Sequence, residues 1–254
     1  MEGDALAAPR STSEEGVSLA TSARDMGLPL KLFGGVAVWV RCPSARRPPL
    51  ARDYADVDFA TLSPSTSDVT RFFESHDCVS DKLFNALHGA SRLTFFDHAT
   101  DRPIDVIVDR FIQCHTIDLR QTLNSAELTI PLTELLVTKL QIVQINDKDL
   151  RDLCALLADH PVIPDTADAI DPRRLMELTS GDWGLEHTIR RTLDRIPEAA
   201  ARFELTSSVA ETVGERVAEM MQVLDAAPKS IGWRLRDQIG ERLRWYEMPE
   251  ETRR

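Results

Sequence analysis

Residues 31–59 read KLFGGVAVWVRCPSARRPPLARDYADVDF. Leu30 to Phe33 is expected to form a short buried strand and Val36 to Val40 the start of a helix, which leaves Gly34 and Gly35 at the turn between them. Glycine lets the backbone approach a ligand closely, and the free N–H groups of a helix N-terminus favour an anion such as a triphosphate. A Gly-Gly pair also makes ordinary tight turns, so by itself it is a weak signal. Asp56-Val57-Asp58 opens a second apolar run and sharpens it. Residues two apart in a strand point to the same face, so Asp56 and Asp58 converge while Val57 and Phe59 are buried behind. Two carboxylates side by side repel each other unless a cation lies between them, and Mg2+ commonly bridges carboxylates to substrate phosphates.

Further along, RLTFFD (92–97) and PIDVIV (103–108) are expected to be strands around the polar turn HATDR. Asp105 interrupts an otherwise apolar strand, and a lone carboxylate there is costly to bury without a partner or a metal. A third carboxylate on a neighbouring strand would allow a two-metal site, with ions roughly 3.5–4 Å apart. Downstream, LLVTKLQIVQINDKDLRDLCALL (135–157) falls within two expected helices, 133–146 and 147–158. In the first, Leu135, Leu136, Leu140 and Val143 recur at helical spacing. Lys139 lies in that apolar helix. Spacing alone favours an exposed or snorkelling lysine over a cation aimed at a nucleotide. Asp149 and Asp152, one turn apart, share a side of the second helix. They read either as a solvated acidic face or as a pair that binds metal or orients Lys139.

The order Gly-Gly, Arg-x-x-x-Asp-x-Asp, then a strand carrying a flanked Asp resembles the polymerase-beta-type nucleotidyltransferase superfamily. Residues 135–157 resemble the helical segment of its AbiEii-type branch, which includes toxin components of toxin–antitoxin pairs. The resemblance covers residues 30–160. It implies an α+β fold: a nucleotidyltransferase-type mixed sheet backed by helices, followed by a helical C-terminal region. By the same resemblance, Gly34 and Gly35 match the phosphate loop, Arg52 the arginine before the aspartate pair, and Asp56 and Asp58 the metal-binding pair. Asp105 matches the third carboxylate, a metal ligand and the base toward the acceptor. Lys139 matches a phosphate-contacting lysine, and Asp149 the aspartate after a basic residue on the next helix. The implied reaction moves a nucleoside monophosphate from an NTP to an acceptor hydroxyl and releases pyrophosphate. The implied cofactor is Mg2+, or Mn2+, as two ions. The acceptor could be tRNA, a protein or a small molecule, and a toxin-type enzyme would have an antitoxin protein as partner. Tyr54 stands where the family pattern has Thr, and Gly35 where it carries Ser. These departures keep a rival expectation in view: a non-catalytic protein that retains the fold and binds nucleotide or a partner.

Bulk properties bound these readings. A chain of 254 residues, 43% hydrophobic and 28% charged, can build a sizeable core and is ordinary for a globular protein. Its net charge of −11 disfavours extended non-specific nucleic-acid binding. No apolar run reaches the length of a membrane span, and the first residues lack a signal-peptide pattern. Cys42, Cys78, Cys114 and Cys154 are scattered without a C-x-x-C pair, which favours free thiols in a reducing cytoplasm over disulfides or zinc.

The expected organisation is a disordered segment over 1–12, a nucleotidyltransferase core over 13–118, a helical segment completing the site over 119–160, and a helical region over 161–254. Within the core, a helix is expected from Ser13 to Arg24, and Asp81–Gly89 is open between helix and loop. The arginines of the Cys42–Ala51 loop could reach a triphosphate, although a solvated surface loop is the simpler reading. Cys114-His115 resembles a catalytic dyad, but adjacent residues on a strand face opposite ways, so packing is favoured. Asp109 reads as a solvated or capping residue. Residues 229–244 carry five basic and two acidic side chains, and with Trp233 and Trp245 could bind RNA or nucleotide. Packed aromatics with exposed arginines are the favoured reading there.

Overall fold

A computed structural model describes residues 10–248. Helix α1 (Thr12–Asp25) is opened by Ser11. The Ser11 hydroxyl accepts from the Glu14 N–H, and the Glu14 carboxylate reaches back to the Ser11 N–H at 2.8 Å. This reciprocal cap satisfies two otherwise orphaned donors. Order therefore begins ahead of the expected Ser13, and residues 1–9 of the stretch expected to be disordered lie outside the described residues.

The next elements are β1 (Leu30–Phe33), α2 (Gly34–Arg41), β2 (Val57–Thr61), α3 (Thr66–Ser75), β3 (Cys78–Ser80), α4 (Lys82–His88), β4 (Arg92–Asp97) and β5 (Arg102–Val108). Five strands form one mixed sheet in the order β1-β2-β5-β4-β3. Only the β2–β5 pair is parallel. Its connection crosses over through α3, α4 and the outer strands, as a parallel pair requires. Helix α3 packs on the sheet through Phe73, whose ring meets Phe59 of β2 at 5.6 Å and Phe95 of β4 at 4.6 Å. All three rings are fully buried.

A small hairpin comes next, β6 (Arg110–Ile112) with β7 (Thr116–Asp118). The chain then becomes helical: α5 (Leu132–Leu140), α6 (Asp147–Asp159), α7 (Pro172–Thr179), α8 (Trp183–Leu193), α9 (Ile196–Arg202), α10 (Ser207–Ala226) and α11 (Ile231–Ile239). The fold is thus α+β, a five-stranded mixed sheet with helices and a helical C-terminal region, as expected. Helix α6 packs against α2 and α5 as well as α9 and α10, and so joins the two parts.

Several helices stop earlier than periodicity indicates. α5 ends at Leu140 with Gln141 as its C-cap, and Asn146 serves as the N-cap of α6, accepting from the Asp149 N–H at 3.0 Å. Helices α9 and α10 are separated at Glu204, which takes a left-handed φ of 57°. α11 ends at Gly240, where φ is 59°; the absence of a Cβ makes that conformation accessible.

The aromatic residues of the C-terminal stretch mostly pack. The Trp183 ring meets the His187 ring, stacked at 4.6 Å, and the Arg236 guanidinium at 4.6 Å, and its Nε1 donates to Asp237. Trp245 donates to Thr188. Lys229 Nζ lies 4.9 Å from the Trp233 ring.

Replacing Phe73 with Ala should cost about 3–5 kcal/mol, read as a lowered urea midpoint with unchanged cooperativity. A loss below about 1 kcal/mol would show that this ring does not anchor α3.

Candidate active site

Strand β2 is buried along its length except at Asp58. Asp58 lies opposite Phe33 of β1 on one side and opposite Asp105 of β5 on the other. Gly34 comes directly after Phe33 with φ 66°. A Cβ built there would come closer than 3.0 Å to Asp58 Oδ2, a separation real Cβ atoms do not show. The first glycine is therefore required twice over, by backbone conformation and by the carboxylate against it. At Gly35 a Cβ would collide with the Arg52 guanidinium and the Tyr54 ring. The Gly-Gly pair thus opens α2 and makes room for two side chains of the segment leading into β2.

Asp58 accepts no side-chain hydrogen bond among the described residues. Burial, then the Asp56 and Asp105 carboxylates, push its pKa up to about 7, against the opposing pull of Lys139 and Arg92. Asp105 is different. Arg92 grips it with two bonds, Nε to Oδ1 at 3.1 Å and Nη2 to Oδ2 at 2.6 Å, and the Thr94 hydroxyl donates to Oδ1 at 2.9 Å. Thr94 is the register partner of Asp105, and its backbone is held at both N–H and C=O by Asn85.

Lys139, from the last turn of α5, is largely buried rather than snorkelling. Its Nζ lies 2.6 Å from Asp149 Oδ1 and 3.0 Å from Asp152 Oδ2, both on α6. Burial works against its charge, but Asp152 and Asp149 outweigh that and hold its pKa above the ordinary lysine value. Asp152, 2% exposed, is also gripped by Arg52, Nε to Oδ1 at 2.9 Å and Nη2 to Oδ2 at 2.7 Å. Arg52 stacks on Tyr54 at 4.1 Å. The Tyr54 hydroxyl is buried without a hydrogen-bond partner among the described residues.

Gly34, Asp58, Asp105, Lys139 and Asp149 line one cleft of about 880 Å3. Asp56 lies just before β2, close enough to Asp58 to raise its pKa. Gly35 and Arg52 do not line the cleft; Arg52 reaches it only through Asp152. Arg92 and Thr94, which hold Asp105, escaped the sequence reading; Asp152 was read as a possible partner of Lys139, but its bond to Arg52 was not foreseen. The signal for the first two was present, since Arg92 and Thr94 alternate onto one face of the strand paired with β5.

The donor set can be tested against a divalent cation. Asp56 and Asp58 are neighbouring oxygen donors whose negative charges repel, and a hard cation takes such ligands. They fit. Asp105 fits less well as it stands, because the Arg92 guanidinium already occupies both of its oxygens with positive charge and Thr94 adds a third bond. Among the described residues no group of three or more His, Cys, Asp or Glu could hold a metal ion.

The other singled-out residues are structural. Cys114 and His115 lie in the turn of the β6–β7 hairpin, not on a strand. The His115 imidazole meets the Thr188 hydroxyl at 2.8 Å, and the His115 backbone N–H donates to the Gln141 side chain. The Asp109 carboxylate accepts from the Ser63 N–H. In the loop after α2, Arg46 donates to the Trp39 and Val40 carbonyls. All four cysteines are buried and free. Among the described residues no helix is long and apolar enough to cross a membrane.

No known protein family matches the sequence, and no curated protein matches it. Among solved structures, an antigenic nucleotidyltransferase-like protein from Paracoccidioides brasiliensis aligns over 87% of this chain and 94% of its own, with TM-score 0.40 and 12% identity. A likeness of that size carries no argument about this chain.

The geometry sets two expected outcomes. Because Asp58 keeps its proton in the folded state up to about pH 7 and loses it near pH 4 when unfolded, stability falls as pH rises through that window. In metal-free buffer Asp58→Asn should therefore stabilise the protein at pH 8 by on the order of 1–3 kcal/mol, and the gain should vanish toward pH 4; a pH-independent melting difference would contradict this. Gly34→Ala should lower thermal stability by about 1–3 kcal/mol, and much of that loss should be regained in Gly34→Ala/Asp58→Ala.

Proposed function

We propose that this cleft is the active site of a nucleotidyltransferase that moves a nucleoside monophosphate from an NTP to an acceptor hydroxyl. The observation that carries the reading is the meeting in one cleft of a Gly-opened helix N-terminus, the adjacent carboxylates Asp58 and Asp105, and a lysine fixed by two aspartates. Backbone N–H groups at the start of α2 suit phosphate oxygens. Lys139 adds a cation that Asp149 and Asp152 hold in place, so little reorganisation accompanies charge development.

Asp56 and Asp58 would hold a divalent cation, which when bound would neutralise triphosphate charge. The acceptor oxygen forms a bond to the α-phosphorus, the bridging bond to the β-phosphate breaks, and pyrophosphate leaves with the electron pair. The hydroxyl proton passes to water or a cleft carboxylate. Alignment and fixed charge are the main protein contributions. Arg52 acts indirectly, by orienting Asp152 and through it Lys139.

The acceptor is tRNA in the toxin-type form of this reading, with an antitoxin protein as partner; a protein or a small molecule are the other acceptor classes. A second reading is favoured by one observation: Arg92 neutralises Asp105, the residue assigned to activate the acceptor. A protein that binds nucleotide without transferring it needs no free third carboxylate.

Incubation with each labelled NTP, Mg2+ and separate RNA, protein and small-molecule fractions decides between them. Label should move to one fraction and pyrophosphate should appear. Asp58→Ala should reduce transfer by roughly 100-fold or more while the protein stays folded. Bound NTP with no label transferred in any fraction would establish the binding-only reading.

A further inference from the structure

The two carboxylates that face each other across β2 and β5 are not treated alike. Asp58 faces the cleft with no side-chain hydrogen bond among the described residues, whereas its neighbour Asp105, 7% exposed, accepts three. Two of these come from a planar guanidinium in the fork geometry that matches a carboxylate. Arg92 is not on a mobile loop. It is the first residue of β4, paired in register with Ile107 of β5, and its guanidinium lies 5.8 Å from the Phe84 ring. Its side chain is 37% exposed and lines the cleft. Nη1 is not used on Asp105 and is available to a substrate oxygen.

We propose that Arg92 stands where a second divalent cation would otherwise be needed at Asp105, so that the cleft works with one divalent cation on Asp56 and Asp58 and one fixed guanidinium beside it. This rests on the nucleotidyl-transfer reading above and narrows it. A cation at Asp105 would compete with the two guanidinium bonds for the carboxylate's few remaining lone pairs and would face the Arg92 charge at close range. A guanidinium already in place carries less charge than a divalent ion but needs no recruitment, and it orients Asp105 toward Asp58. Arg92 is thus a positioning residue for Asp105 and, through Nη1, a potential substrate contact.

The test counts ions directly. The full-length protein is titrated with Mn2+ alone and bound ions are counted by electron paramagnetic resonance, with anomalous diffraction from Mn2+-soaked crystals to place them. The wild type should bind one ion, at Asp56 and Asp58, with Arg92 still on Asp105; Asp58→Asn should lose it. Arg92→Lys keeps a cation at Asp105 and should still bind one. Arg92→Gln frees Asp105 and should bind two. A wild type that binds two ions, with Arg92 displaced, overturns the proposal and leaves the transfer reading intact. An Arg92→Gln variant that folds yet binds only one ion also overturns it, because Arg92 would then be merely structural. No ion in any variant overturns the cation reading of the cleft together with this proposal. Should Arg92→Gln not fold, the wild-type count decides alone.

Discussion

One buried carboxylate ties the sheet to the helices. Asp152, on α6, is shared between Arg52, from the segment before β2, and Lys139, at the end of α5. Burying a charge is expensive, and the cost is offset only when its partners are well placed. Removing either cation would leave Asp152 buried with a single charged partner. The three elements are therefore fixed relative to one another by electrostatics as well as by apolar packing. Lys139 reaches the cleft in one orientation because both of its acceptors sit on the same helix.

The Gly-Gly pair is the second constraint, and its role differs from a plain phosphate loop. Gly34 yields space to Asp58, and Gly35 yields space to Arg52 and Tyr54. A side chain at Gly35 would push on the Arg52 guanidinium that grips Asp152, and one at Gly34 would press on Asp58. The loop and the charge network are therefore one construction. The same crowding explains why a bulky Tyr54 is accommodated: its ring covers the Arg52 guanidinium.

Much of the cleft was legible in the sequence. An Asp-x-Asp at the head of an apolar run and an Asp inside another announce carboxylates held on a sheet, because strands alternate and buried charge needs a reason. The strands Leu30–Phe33 and Arg92–Asp97 fall where apolar runs bounded by turn residues place them. The helix ends were less legible. Asn146 and Gly240 end or begin helices by capping geometry, which competes with an apolar periodicity that runs on past them. Cys114 and His115 escaped because the hairpin turn that carries them is set by pairing between β6 and β7, not by local preference.

What the sequence by itself determined is the set of chemical groups and the strands and helices that carry them: local spacing specifies which side chains share a face, and Asp58 and Asp105 were assignable on that basis, whereas spacing alone read Lys139 as an exposed lysine. What only the tertiary structure decided is who is paired with whom. Arg52 turns to Asp152 rather than into the cleft, and Arg92 takes Asp105. Each choice depends on distances between elements remote in sequence, 100 residues apart for Arg52 and Asp152. The physical reason is that a charge has no local preference among partners. Its partner is whichever opposite charge the packed fold brings within hydrogen-bond distance, and strand register and helix packing settle that only once the whole core has closed.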